Sequence, residues 1–174
     1  PKCALWAGLG LGKTITTLTA IVDLIDSMTV SKVLIVAPLR VANSVWHVEA
    51  ARWQHTKHLK FSIVTGSEKE RLATLHKTAD VYVINRENVS WIVEHYAKKW
   101  PFDMIVLDEA SSFKSASSQR FKSLRKTIPF TNRLVELTGT PSPNGLLDIW
   151  SQMYLLDCGE RLGRSMTAYK QRFF

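Results

Sequence analysis

Apolar positions along this chain fall into two alternating patterns. Short unbroken aliphatic and β-branched runs are separated by longer stretches in which apolar residues recur every three or four positions. The short runs are Cys3-Ala4-Leu5-Trp6, Val33-Leu34-Ile35-Val36-Ala37, Phe61-Ser62-Ile63-Val64, Val81-Tyr82-Val83-Ile84, Met104-Ile105-Val106-Leu107 and Arg133-Leu134-Val135-Glu136-Leu137. All have strand length. Between them the spacing predicts helices over Ile15 to Asp26, Glu87 to Lys98, Ser117 to Lys126 and Leu146 to Leu155. In the last of these Leu147, Trp150 and Tyr154 share a face. A further helix, capped by Asn43, is expected to carry Val45, Val48, Ala51 and Arg52-Trp53. Ser67-Glu68-Lys69-Glu70 has the form of a capping box and predicts a helix through His76. Regular strand–helix alternation points to the α/β class, a doubly wound and mainly parallel sheet. Near-continuous apolar strands fit a sheet covered on both faces. Ligands of such sheets sit beyond the carboxyl ends of the strands.

Composition narrows this picture. With 174 residues the chain can bury one substantial core, so a single domain over residues 1–174 is expected. Its start, Pro1-Lys2-Cys3, is no signal peptide and lacks an initiator Met, so a segment of a longer protein, truncated at both ends, is expected. No apolar run reaches the roughly eighteen residues of a membrane span, and no membrane partner is expected. Lys and Arg outnumber Asp and Glu 23 to 15, a net charge of +8. That balance suits a polyanionic partner, and equally a solvated basic surface. Cys3 and Cys158 stand outside any Cys-x-x-Cys pattern. They are expected to be buried free thiols in a reducing compartment, the cytoplasm or, in a eukaryote, the nucleus. Trp46, Trp53, Trp91 and Trp150 fall on apolar helix faces and Trp6 in the first strand, so packing rather than base stacking is expected of them. His55-x-x-His58 has no second ligand pair nearby, and no metal beyond Mg²⁺ is expected.

The chemistry concentrates where the predicted strands end. Ala7-Gly8-Leu9-Gly10-Leu11-Gly12-Lys13-Thr14 links the first strand to the first helix. Strand, glycine loop and Lys-Thr opening a helix form the phosphate-cradling P-loop context. Glycines let successive N–H groups curl toward a triphosphate, and the helix N-terminus adds partial positive charge. Gly8, Leu9, Gly10, Leu11, Gly12, Lys13 and Thr14 are therefore the candidate ATP contacts, with Lys13 on the outer phosphates and the Thr14 hydroxyl on Mg²⁺. Asp108-Glu109 follows the most hydrophobic strand. Asp108 is the expected partner of Mg²⁺, and Glu109 the group that polarises the attacking water, since phosphoanhydride hydrolysis is mostly positioning and charge neutralisation. Leu137-Thr138-Gly139-Thr140-Pro141 ends the next strand. Thr138 and Thr140 are placed to touch the acidic pair, or merely to cap a turn. No Asn-Lys-x-Asp segment is present, which argues against a GTPase. A small-molecule kinase, which excludes water, rarely needs the adjacent Glu.

These segments together resemble the first RecA-like lobe of a superfamily-two helicase-type ATPase, specifically of the Swi/Snf type. Ala7 to Thr14 matches that superfamily's first motif, "VLIVAPLRVANSVW" its motif Ia region, and "VYVINRENV" the later strand ending in a DNA-facing turn. "IVLDEASSFKS" is similar to the Asp-Glu-Ala-His box and its following lysine, here Lys114. "LTGTPSPNGLLDIWSQMYLL" resembles Swi/Snf motif III. Ser111 stands where the box usually ends in His, a variant nearer to bacterial and phage versions. The family's adenine-reading segment would lie before Pro1, and its second lobe, with arginine fingers and half the DNA track, after Phe174.

The resemblance implies ATP and Mg²⁺ as cofactors and a coupling of nucleotide state to DNA grip through Thr138 and Thr140. It also implies sequence-independent binding of duplex DNA. Carried over for that contact are Pro38, Arg40, Thr65, Gly66, Asn85, Arg86 and Lys114. The implied activity is ATP hydrolysis driving translocation on duplex DNA once the second lobe is present. A strand-separating DNA or RNA helicase, or a binding module without turnover, are the alternatives.

Overall fold

The computed structural model describes residues 1–174, and its frame is a single sheet. Strands β1 (Lys2–Trp6), β2 (Val33–Ala37), β3 (Phe61–Val64), β4 (Val81–Asn85), β5 (Met104–Asp108) and β6 (Arg133–Thr138) lie in the order β1-β6-β5-β2-β4-β3. Every pairing is parallel. The helices are α1 (Lys13–Asp26), α2 (Leu39–Ser44), α3 (Trp46–Arg52), α4 (Glu68–Leu75), α5 (Val89–Tyr96), α6 (Gln119–Arg125), α7 (Ile149–Asp157) and α8 (Met166–Phe173).

Alternation along each strand builds two cores. Val33, Ile35, Val83, Met104 and Val106 face one side, where α1, α2 and α3 supply Leu18, Ile21, Ala42 and Trp46. Leu34, Val36, Ile84, Ile105 and Leu107 face the other, covered by Ile92 of α5, Phe121 and Leu124 of α6, Trp150 and Leu155 of α7 and Tyr169 of α8. Central strands buried on both faces explain why they read as unbroken apolar runs. The capping box is formed: Ser67 Oγ accepts from Glu70 N, and the Glu70 carboxylate accepts from Ser67 N at 2.7 Å.

Several expectations are corrected. Asn43 is not a cap. The predicted helix is two short ones that meet at Val45, and Asn43 sits inside the first. Helix α8 was not expected at all. Trp46 and Trp150 are core residues, but Trp53 is 45% exposed and Trp6 43%. Trp53 ends α3 and turns its N–H to Glu49 at 2.9 Å. Trp6 closes an edge strand, which lacks a neighbour on one side. Cys3 and Cys158 are both exposed, not buried. Cys3 lies on the same edge strand, and Cys158 adopts a left-handed conformation just past α7.

The parallel register sets the carboxyl ends of the strands on one rim. Trp6 stands beside Thr138, Asp108 beside Leu137, Val36 beside Leu107 and Ala37 beside Asn85. All the candidate loops leave the sheet at this rim, Lys114 lying farther along the same loop as Glu109.

Candidate functional site

Along the rim, one half belongs to the loops after β1, β6 and β5, and the other to those after β2, β4 and β3. The first half gathers the candidate nucleotide residues. Beyond β1 the chain turns at Gly10 (φ 75°) and Gly12 (φ 77°), left-handed conformations that a Cβ would oppose. Gly12 caps α1, whose first turn carries neither an acidic residue nor a side-chain cap. Its N–H groups and helix dipole therefore present an anion-binding end. Leu9 and Leu11 are exposed, so this loop acts through its backbone. Lys13 lies over that backbone, with Nζ donating to Ala7 O at 2.7 Å and Gly8 O at 2.8 Å. Thr14 follows in the same first helical turn.

The acidic pair ends β5. Glu109 has φ 58° and ψ 59°, a left-handed conformation that costs a non-glycine residue about 1–3 kcal/mol. The turn aims its side chain back at β6. Glu109 Oε1 accepts from Thr138 Oγ1 at 2.9 Å and from Ser111 Oγ at 2.7 Å. Both donors use the same oxygen, which leaves Oε2 free. Asp108 Oδ2 accepts from the indole N–H of Trp46 at 2.9 Å. Burial raises the Asp108 carboxyl above its ordinary range; the Trp46 N–H opposes that rise, the Glu109 charge adds to it and Lys13 pulls against it.

The turn after β6 ties these parts together. Ala7 N donates to Thr138 O at 3.2 Å, which extends the β1–β6 ladder into the glycine loop. A Cβ on Gly139 would stand 3.4 Å from Ala7 O and 3.8 Å from the Gly8 Cα, so the two loops pack backbone to backbone. Thr140 N donates to Thr138 Oγ1 at 3.1 Å, while the Thr140 side chain remains exposed. Helix α7 braces this turn: buried Gln152 donates to Pro141 O at 2.6 Å and to Asp148 O at 3.0 Å. Ser151 donates to Lys114 O.

The second half of the rim holds most of the candidate nucleic-acid residues. Pro38 precedes α2, and Arg40 is exposed in its first turn. Thr65 donates to Asn43 at 2.7 Å, tying the loop after β3 to helix α2. Gly66 (φ +87°) has its carbonyl held by Arg71 at 2.7 Å. Arg86 pairs with Glu87 at 3.1 Å. Asn85 is buried, donates to Glu87 at 2.9 Å and accepts from Asn88 at 2.6 Å, so its side chain shapes the turn. Lys114 is apart from this group, 3.8 Å from Asp148 at the entry to α7.

Two further features were not anticipated from the residues. Trp46 was read as a packing residue, yet its N–H reaches Asp108. Glu136 lies in β6, completely buried, and neither carboxyl oxygen has a hydrogen-bond partner. Burial pushes its pKa well above the ordinary 4.5. Nothing in the strand pattern announces it except one acidic letter among apolar ones.

The family described as "SNF2-related domain" matches residues 2–173. The chain belongs to that family. Among SNF2-related relatives, protein p41 of Acyrthosiphon pisum secondary endosymbiont phage 1 is 43% identical over 176 aligned positions, covering 97% of this chain and 38% of that protein. The "DNA excision repair protein ERCC-6-like" of Mus musculus is 32% identical and covers 91% of this chain, which matches 13% of its length. The "Sulfolobus solfataricus SWI2/SNF2 ATPase core in complex with dsDNA" superposes with a TM-score of 0.78 at 25% identity, covering 98% of this chain and 34% of that one. The six-stranded parallel sheet is thus the RecA-like lobe of SNF2 proteins. This SNF2-related chain spans about a third of the phage protein and of the superposed core, and far less of the mouse protein. No helix is long and apolar enough to cross a membrane.

Proposed function

We propose that this chain is the ATP-binding lobe of a DNA-dependent ATPase that moves on duplex DNA. The observation that carries the reading is the continuous contact from the glycine loop through Thr138 to Glu109. In this reading the α1 N-terminus and the loop backbone bind the phosphates, and Lys13 exchanges its carbonyl partners for the outer phosphate oxygens. Thr138 and Ser111 fix one oxygen of Glu109, so that the other accepts a proton or hydrogen bond from the attacking water.

The donor set suits Mg²⁺. Nowhere do three His, Cys, Asp or Glu side chains converge. A single carboxylate, Asp108, and a single hydroxyl, Thr14, fit a hard cation that keeps waters and substrate phosphates as its remaining ligands. When bound there it would neutralise charge developing on the phosphates.

The DNA half of the proposal is supported by the basic balance of +8, by Arg40 and Arg86 beside the second half of the rim, and by the superposition on a core in complex with dsDNA. Lys114 is the weakest of the carried-over contacts because its ammonium faces Asp148. In the complete protein a second lobe closes on this rim, and the lobe alone turns over slowly. The test is steady-state ATP hydrolysis by the full-length protein with duplex DNA, single-stranded DNA or single-stranded RNA. Duplex DNA stimulates it, less so at high salt, because phosphate contacts release counterions. Stimulation by single-stranded RNA alone would overturn the translocase reading.

A further inference from the structure

Trp46 sits at the seam of the rim. It begins α3, which follows β2, yet its indole N–H donates to Asp108 on the neighbouring strand β5 at 2.9 Å. The side chain is completely buried in the core that α1 and α3 make against the sheet. A core tryptophan satisfies its packing with the ring, and the N–H then needs a partner. Many partners would serve that need. The one it has is the carboxylate assigned above to the metal, and the bond is to Oδ2 only. Oδ1 of Asp108 has no side-chain donor, and Lys13 is near enough for its charge to act on the carboxylate.

We propose that Trp46 is a positioning residue for Asp108, fixing the carboxylate so that Oδ1 is presented to Mg²⁺. The proposal rests on the nucleotide reading of the site and deepens it. Groups that hold a metal ligand from behind set its orientation, and their loss typically costs about 10–100-fold in metal affinity. Three features favour that role over plain packing. The bond joins a neutral N–H to a carboxylate at an ordinary, well-formed distance of 2.9 Å. It joins distant parts of the chain, donor and acceptor standing 62 positions apart in the sequence. It is the only side-chain hydrogen bond to Asp108, whereas Glu109 has two donors of its own.

The test replaces Trp46 in the full-length protein with 3-benzothienylalanine, which keeps the ring's shape and lacks the N–H. Affinity for a fluorescent ATP analogue is measured in EDTA and in saturating Mg²⁺, with Trp46→Phe as a second variant. Wild-type protein gains affinity on adding Mg²⁺. In the isostere the affinity in EDTA stays within about twofold, while the Mg²⁺ gain falls by about tenfold. An unchanged Mg²⁺ gain in the isostere would overturn the proposal. So would an equal weakening with and without Mg²⁺, which marks a packing role alone. Failure of the wild-type protein to bind the analogue at all would instead strike the nucleotide reading itself.

Discussion

Glu109 is where single side chains matter most. Its left-handed backbone and its paired donors, Thr138 and Ser111, hold one carboxylate oxygen in place. Under the proposed function, Glu109→Gln keeps the shape and loses the base. Turnover then falls by about 10²–10⁴-fold while ATP affinity changes by less than about threefold, measured by stopped assays and equilibrium binding. Near-normal turnover would remove the role. Ser111→Ala deletes one donor to the same oxygen. A hydrogen bond to a charged group is worth about 1.5–3 kcal/mol, so turnover drops by about tenfold or more with binding little changed. If Ser111→Ala leaves the rate intact, Thr138 alone orients Glu109. The strand, glycine loop and helix of the candidate nucleotide site were legible because a P-loop is a local sequence word. The Ser111 and Trp46 contacts were not, because each joins residues whose partnership exists only after the strands align.

At the scale of elements, β6 carries a group that works against it. Glu136 is buried without a partner, between Ala4 and Leu107 of the flanking strands, and burial raises its pKa well above 4.5. The folded state therefore holds a proton that the unfolded chain releases. The contribution of Glu136 is fully present below about pH 4.5 and is lost as pH rises toward the native pKa. Glu136→Leu, similar in volume, raises the Tm at pH 7 and adds about 1–3 kcal/mol. It also flattens the loss of stability above pH 4.5. Thermal melts of both proteins across that range check this; an unchanged or lower Tm at pH 7 contradicts it. The strands themselves were readable from their apolar runs, since two-sided burial leaves few polar positions. The break at Val45 was not, because neither Pro nor Gly marks it. Helix α8 escaped because its sequence, Met166 to Phe173, is mostly polar outside Tyr169. Trp6, Cys3 and Trp53 were assigned to the interior because composition carries no record of which strand is an edge and where a helix stops.

For the whole molecule, six parallel strands bring five distant loops and one glycine turn to a single rim, with the candidate nucleotide residues on one half and most of the candidate nucleic-acid residues on the other. Under the proposed function, one half of the rim binds ATP and the other a polyanion. The order of motifs along the sequence was enough to expect the rim. The seam between its halves, crossed by Trp46 and Asp108, became visible only in three dimensions. The most direct test is a crystal structure of the full-length protein with ADP, Mg²⁺ and beryllium fluoride. The account predicts the fluoride group at Lys13 Nζ, Mg²⁺ between Thr14 and Asp108, and the free oxygen of Glu109 facing the group in line for attack. Nucleotide bound elsewhere, or a carboxylate pair turned away from the lysine, contradicts it.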